Sequence, residues 1–246
     1  MSAPRAILTW HSIDPSGSPI SVSREEFQRQ ARWLGSGAVR VVSLEELLAA
    51  DPGNGKPAVA LTFDDGFANF ASEAAPLLTE LGFAVTLFVV TQQVGRDNRW
   101  QGKEDSRVPV LPLLDWETLG RLHERGVTLG AHTRTHPRLT ELDRGGLEAE
   151  LGLAAEELER RVGARPAALA YPYGDVNDAV ARAAAQWYRT ACTTELRALA
   201  PGESRLRLPR IDAWYLRGEN RLAGFGSRWF RGWLWGRRQA RRLRGH

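Results

Sequence analysis

The chain is poor in the residues that staple or anchor proteins. Of its 246 residues, one is cysteine and one is methionine. A lone Cys192 excludes an intrachain disulfide and any multi-cysteine zinc site. Its setting, Tyr188-Arg-Thr-Ala-Cys-Thr-Thr, reads as a strand with a buried, inert thiol. No apolar run approaches the ~18 residues a membrane-spanning helix needs. The opening segment has no basic stretch followed by an apolar one, because Trp10, His11 and Asp14 interrupt it; this predicts no signal peptide and a cytoplasmic location. Lysine is nearly missing too. Lys56 and Lys103 are the only two among 33 basic residues, so the positive charge is almost entirely arginine.

What is present is ordinary for a globular protein: 43% apolar and 25% charged residues, which excludes wholesale disorder. The charge is unevenly placed. Residues 213–246 carry nine Arg and one Glu, a net +8 in a chain whose total is +4, so residues 1–212 stand at −4. The chain therefore reads as one folded body, 1–212, and an Arg/Trp-rich basic tail, 213–246. A basic pI that belongs to the tail argues against a specific nucleic-acid-binding domain.

Short β-branched or apolar runs alternate with helical patterns through the body. Strands are predicted over 6–13, 39–42, 59–63, 84–90, 127–131, 167–171, 188–192 and 206–211. Ser23-Arg-Glu-Glu26 and Ser43-Leu-Glu-Glu46 fit helix-starting capping boxes. Further helices are predicted over 69–81, 115–124, 143–162 and 176–187, several of them stopped by Gly. Repeated strand–helix–strand units imply right-handed crossovers and a mostly parallel α/β sheet. A closed barrel and an open doubly wound sheet both satisfy the pattern, and both place chemistry at the C-terminal strand ends. Residues 91–112 form the one long irregular stretch, a lid or substrate loop.

Three motifs stand at such strand ends. Thr62-Phe-Asp-Asp-Gly66 sets two carboxylates side by side before a turn. Neighbouring carboxylates repel unless a cation compensates, so one can hold a metal while the other acts as a base; a plain Asp-Gly turn is the competing reading. His132-Thr-Arg-Thr-His136 sets two imidazoles four residues apart, able to share one metal. With Asp65 they make two nitrogens and one oxygen, an open set suited to catalysis rather than structure. Zinc is the default on ligand type, and Co, Ni, Mn or Fe are alternatives. Pro172-Tyr-Gly174 can aim the Tyr173 backbone amide at a developing oxyanion, or be only a β-turn.

Together, in this order, the three motifs resemble those of the NodB-homology polysaccharide deacetylases, carbohydrate esterase family four. The resemblance implies a single-domain distorted (β/α)7-type barrel. It implies a metal-dependent hydrolase removing N-acetyl groups from an amino sugar in a polysaccharide or glycan precursor. Asp64 becomes the base, Asp65, His132 and His136 the metal ligands, water on the metal the nucleophile, and the Tyr173 amide the oxyanion donor. Two departures follow from the same comparison. Ala170 stands where most members carry an Arg two residues before the Pro of the third motif, and His246 is the only histidine near the C-terminus. A permuted subgroup places its acid on an N-terminal strand, and Leu8-Thr-Trp-His-Ser-Ile13 looks like that opening, so the acid is assigned to His11. On the strand Leu208–Asp212, Arg210 could replace the missing Arg and Asp212 could orient His11; a surface ion pair is the competing reading for both. His123, near the end of a helix, is given no catalytic role.

In the tail, Leu222, Phe225, Trp229 and Trp233 recur at helical spacing, with Arg228, Arg231, Arg238 and Arg242 opposite. Residues 222–246 are therefore expected to meet an anionic membrane surface, peripherally at its inner face. Glycines at 224, 226, 232 and 236 weaken that helix, and a solvated tail or one packed on the barrel is the competing reading. Two rival functions stay open. One is deformylation or deacetylation of a lipid-linked amino sugar; the other is non-catalytic carbohydrate or membrane binding on a deacetylase fold.

Overall fold

The computed structural model describes residues 3–49, 55–100 and 107–243. Lys103, His246, the middle of the 91–112 stretch and the side chain of Arg242 lie outside the described residues. In chain order the strands are β1 (Arg5–Trp10), β2 (Ser12–Ile13), β3 (Ser21–Val22), β4 (Arg40–Val41), β5 (Ala58–Phe63), β6 (Val85–Val89), β7 (Thr128–Ala131), β8 (Ala168–Ala170), β9 (Thr190–Leu196) and β10 (Leu208–Asp212). The helices are α1 (Arg24–Gly35), α2 (Leu44–Ala49), α3 (Ala75–Glu80), α4 (Trp116–Glu124), α5 (Arg144–Val162), α6 (Asp178–Ala184), α7 (Glu219–Ala223) and α8 (Arg228–Leu243).

The sheet runs β1-β10-β9-β8-β7-β6-β5 and closes, because β1 also pairs with β5. All pairings are parallel: Thr9 lies opposite Asp212, and Arg5 to Trp10 run opposite Ala58 to Phe63. Seven strands thus form a barrel, with β4 added beside the start of β5. The barrel is closed rather than open. All eight predicted strands are present. The first is cut at His11, beyond which β2 forms a small ribbon with β3.

Strand alternation sorts the side chains into two cores. Val59, Leu61 and Phe63 face the helices, while Ala58 and Ala60 face the barrel axis. The axis is filled by Ile7, Phe88, Ala170, Cys192 and Leu208, and Leu44 and Leu47 of α2 join that cluster. Gly130 makes room for Phe88: a Cβ there would lie 2.5 Å from two of its ring carbons. Burial pushes the Cys192 thiol up to about 12, which keeps it inert.

The helices depart from expectation in detail. At Ser43 the capping box is complete, with Ser43 N donating to Glu46 (2.8 Å) and Glu46 N to Ser43 Oγ (3.2 Å). At Ser23 only half forms, because Glu26 is drawn to Arg29 and to the Gly218 amide. The single helix expected over 69–81 is instead a π-turn, Phe70–Ala74, followed by α3. Pro76 supplies no amide hydrogen, and the Ala75 N–H reaches back five residues to Phe70 O. Helix α6 is shorter than the 176–187 predicted, starting after the Asn177 cap.

The tail is folded onto the barrel. Leu216, Leu222, Phe230 and Leu234 belong to the same buried cluster as the helix-facing strand residues. Its helix is phased differently from the sequence expectation. Phe225 packs edge-on against Trp33 at 5.1 Å, and Trp233 turns inward to Tyr215. Trp229 points outward, 56% exposed, and Arg238 turns in to pair with Glu195 on β9. Gly224 and Gly226 fall between α7 and α8 rather than inside a helix.

Candidate active site

Each motif extends a barrel strand by one ladder bond and then breaks sharply. Asp64 N donates to Trp10 O, His132 N to Val89 O and Tyr171 N to Cys192 O, at 2.9, 2.8 and 3.0 Å. The breaks use left-handed backbone at Asp65 (φ 71°), Thr133 (64°), His136 (64°) and Tyr173 (61°), the only non-glycine residues so placed among those described. Strain of this kind is concentrated at a site that must fix several side chains at once. Glu150 of α5 holds the second break: its carboxylate accepts from the Arg134 and Thr135 amides (2.9 Å each) and from Thr135 Oγ1 (2.7 Å).

The breaks bring together residues from five strands. Arg210, on β10 and 2% exposed, grips Asp64 bidentately, Nη1 to Oδ1 and Nη2 to Oδ2, both at 2.7 Å. Its Nε donates to Thr193 O and its Nη1 also to Thr9 Oγ1, both at 3.0 Å. Burial alone would raise the Asp64 pKa. The facing guanidinium overrides it and holds the carboxyl far below its ordinary value of 3.8. Arg210 thus faces Asp64 from β10, and the Ala170 carbonyl serves another purpose.

That carbonyl accepts a 2.7 Å hydrogen bond from His132 Nδ1. Because a carbonyl can only accept, Nδ1 carries the hydrogen, and Nε2 is the ring atom turned towards Asp65. His132 Nε2 and His136 Nε2 lie 3.3 and 3.5 Å from Asp65 Oδ1. One ligand atom from each of the three residues lies within 4.8 Å of the others, and all three residues are buried. Asp65 Oδ1 is buried yet has no hydrogen-bond partner among the described residues. An orphaned carboxylate oxygen flanked by two imidazole nitrogens fits a divalent cation and little else. Burial pushes His136 down to about 3, so it is a neutral donor at neutral pH. Burial would lower His132 as well, but the Asp65 and Asp64 carboxylates raise it above 6.5.

His11, just past β1, sets Nε2 at 3.7 Å from Asp64 Oδ2, too far for a hydrogen bond, with its side chain 18% exposed. Asp212 is within electrostatic reach of His11, but its Oδ1 accepts from the Trp214 amide at 2.8 Å and caps the next turn. Among the described residues no hydrogen bond joins it to His11. Burial raises its pKa, and the His11 charge opposes that rise. Tyr173 is 47% exposed at the rim, and its ring meets that of His136 at 4.7 Å. Gly174 (φ +72°) holds the turn against β9, where a Cβ would lie 2.2 Å from Thr194 Oγ1.

Two contributors escape sequence reading. Glu150 looks like any surface residue of an amphipathic helix. Trp100, in the irregular 91–112 stretch, stacks on His136 with centroids 4.4 Å apart. An aromatic in a stretch already singled out as a substrate loop was the available signal. The described part of that stretch is ordered: Asn98 bridges Pro109 O and Leu111 N, and Leu114 N donates to Gly66 O beside Asp65.

A family model for polysaccharide deacetylase matches residues 51–191. The poly-β-1,6-N-acetyl-D-glucosamine N-deacetylase of Staphylococcus epidermidis is 25% identical over 203 residues, covering 78% of this chain and 67% of that protein. Among solved structures, the Streptococcus pyogenes deacetylase PplD in complex with acetate superposes with a TM-score of 0.72 at 22% identity, over 86% of this chain and 93% of that one. IcaB from Ammonifex degensii superposes at 0.71 and 23% identity, over 87% and 95% of the two chains. These two likenesses establish the barrel fold.

Proposed function

The chain belongs to the polysaccharide deacetylase family, and from that premise we propose that it hydrolyses the N-acetyl amide of an amino sugar within a polysaccharide, releasing acetate and a free amine. It is a hydrolase of carbon–nitrogen amide bonds. The observation that carries the reading is the pairing of Asp64 with buried Arg210 directly beside the Asp65–His132–His136 set. A binding protein needs a sugar platform; it has no use for a carboxylate held ionised at the cost of burying an arginine.

Asp65, His132 and His136 would hold one divalent transition metal, zinc on ligand type, which when bound polarises the amide carbonyl and acidifies water from ~15.7 towards ~7. The chain's own residues do the rest. A carboxylate as acidic as Asp64 is a weak base, matched to a proton that has itself been made acidic. Arg210 keeps it ionised and fixes its orientation, and Asp64 receives the proton of the attacking water. The Tyr173 amide, presented by the left-handed turn, donates to the oxyanion, a contribution of roughly 3–4 kcal/mol for one such donor. His11 Nε2 gives its proton to the departing amine, which would otherwise be too basic to leave. Trp100 and Tyr173, each in ring contact with His136, offer aromatic surface to a sugar ring.

For the substrate, the reading favours oligomers of N-acetylglucosamine, because the Staphylococcus relative is named for such a polymer. Acetate release from β-1,6- and β-1,4-linked N-acetylglucosamine oligomers, by protein loaded with zinc or cobalt, tests it. Release that disappears in Asp64→Asn supports the reading. Silence of the metal-loaded protein on both oligomers, and on an N-formyl analogue, rejects it.

A further inference from the structure

Helix α8 has two working faces. Phe230, Trp233 and Leu234 pack towards the barrel, and Arg238 and Arg241 on that side reach Glu195 and Thr194 O on β9. The opposite face carries Trp229 and Trp235, 56% and 63% exposed, the two most exposed large apolar side chains among the described residues. They stand six residues apart, about 9 Å along the axis at ~1.5 Å per residue. Exposed Arg228 and Arg231 flank them, and exposed Gly232 and Gly236 fill the surface between. No acidic residue occurs in α8.

Tryptophan in water at this exposure is costly, whereas at a lipid headgroup its apolar body is buried and its N–H stays hydrated. Arginines beside it are attracted to anionic headgroups at short range. No described helix is long and apolar enough to cross a membrane. From these observations we propose that the outer face of α8 is a docking surface for an anionic lipid bilayer, on which the protein lies without spanning it. The charge selects the occupant. The body is net negative and the segment 213–246 net positive, so a negatively charged sheet attracts this face and repels the rest.

The test is flotation of the full chain with vesicles of phosphatidylglycerol or of phosphatidylcholine, followed by tryptophan emission. The expected result is co-flotation with phosphatidylglycerol, weakened by salt, with little on phosphatidylcholine. Trp229→Ala/Trp235→Ala and, separately, Arg228→Gln/Arg231→Gln are each expected to lower vesicle affinity at least about tenfold. Both pairs are exposed, so circular dichroism and melting temperature serve as folding checks. Neither pair touches the catalytic residues, so acetate release from a soluble oligomer is expected to be unchanged. Absence of flotation on phosphatidylglycerol overturns the proposal, as does flotation indifferent to both double variants. A dimer in sedimentation that dissolves in Trp229→Ala/Trp235→Ala would assign the face to a second copy instead and equally overturn it.

Discussion

Asp64 and Arg210 are 146 residues apart in sequence and 2.7 Å apart in space. Removing the arginine leaves a buried carboxylate without its cation. Arg210→Gln is therefore expected to cost about 3–5 kcal/mol, visible as a fall of roughly 10 °C in Tm. The sign of the pH dependence follows from the same pair. Asp64 is held below its ordinary 3.8, so its stabilisation is complete above that value and is lost as pH falls through the depressed one. In Arg210→Gln burial raises the Asp64 pKa above 3.8 and the sign reverses, so the variant's deficit narrows as pH falls towards 3.8. Urea unfolding between pH 3 and 7 would record this; superimposable profiles would contradict the pairing. Asp64→Asn keeps the shape and removes the proposed base. Its kcat is expected to fall about 10²–10⁴-fold with metal content unchanged, whereas His132→Ala loses metal and turnover together. That Asp64, Asp65, His132 and His136 would gather in one place was legible, because each lies in a short motif at a predicted strand end. Arg210 was legible only as one of two readings, because the contact exists only through barrel closure.

At the scale of elements, the strands were read well because a parallel barrel buries both faces and writes continuous apolar runs. Helix ends were read less well. The half-formed cap at Ser23 depends on Gly218, a neighbour the local pattern does not contain, whereas Pro76, which marks the Phe70–Ala74 π-turn, lies inside the stretch read as one helix. Gly130 shows how closely the strands are fitted. Phe88 lies over the missing side chain and under the Arg210 guanidinium, whose centre is 5.8 Å from the ring. Gly130→Ala forces Phe88 to move and is expected to cost about 1–3 kcal/mol through overpacking. Adding Phe88→Leu should return part of that cost, because the two residues share one space. Chemical denaturation of the two single variants and the double measures the coupling. Strict additivity would show that the clash is relieved elsewhere.

The molecule as a whole is more continuous than its composition implied. A change in charge at residue 213 looked like the edge of the folded body, yet the buried cluster runs through it, from Leu61 and Phe63 on β5 to Phe230 and Leu234 on α8. The phase of α8 could not be read in advance, because tryptophan and arginine occur on both its faces and only the shape of the barrel decides which turn inward. Burial now separates them by energy. Phe230 is 2% exposed and touches Phe225 and Trp233, with ring centroids at 5.1 and 5.9 Å. Phe230→Ala is therefore expected to cost about 3 kcal/mol, as truncation of a core aromatic does. Trp235→Ala, on the same helix and 63% exposed, should stay within about 0.5 kcal/mol of the parent. Urea unfolding of both variants at high salt, which screens the arginines, makes the comparison. If they were equally mild, α8 would be an appendage to the barrel. If Phe230→Ala also melted in one cooperative transition shared by the barrel, α8 would be part of the fold that holds β9, Thr193 and, through it, Arg210 in place.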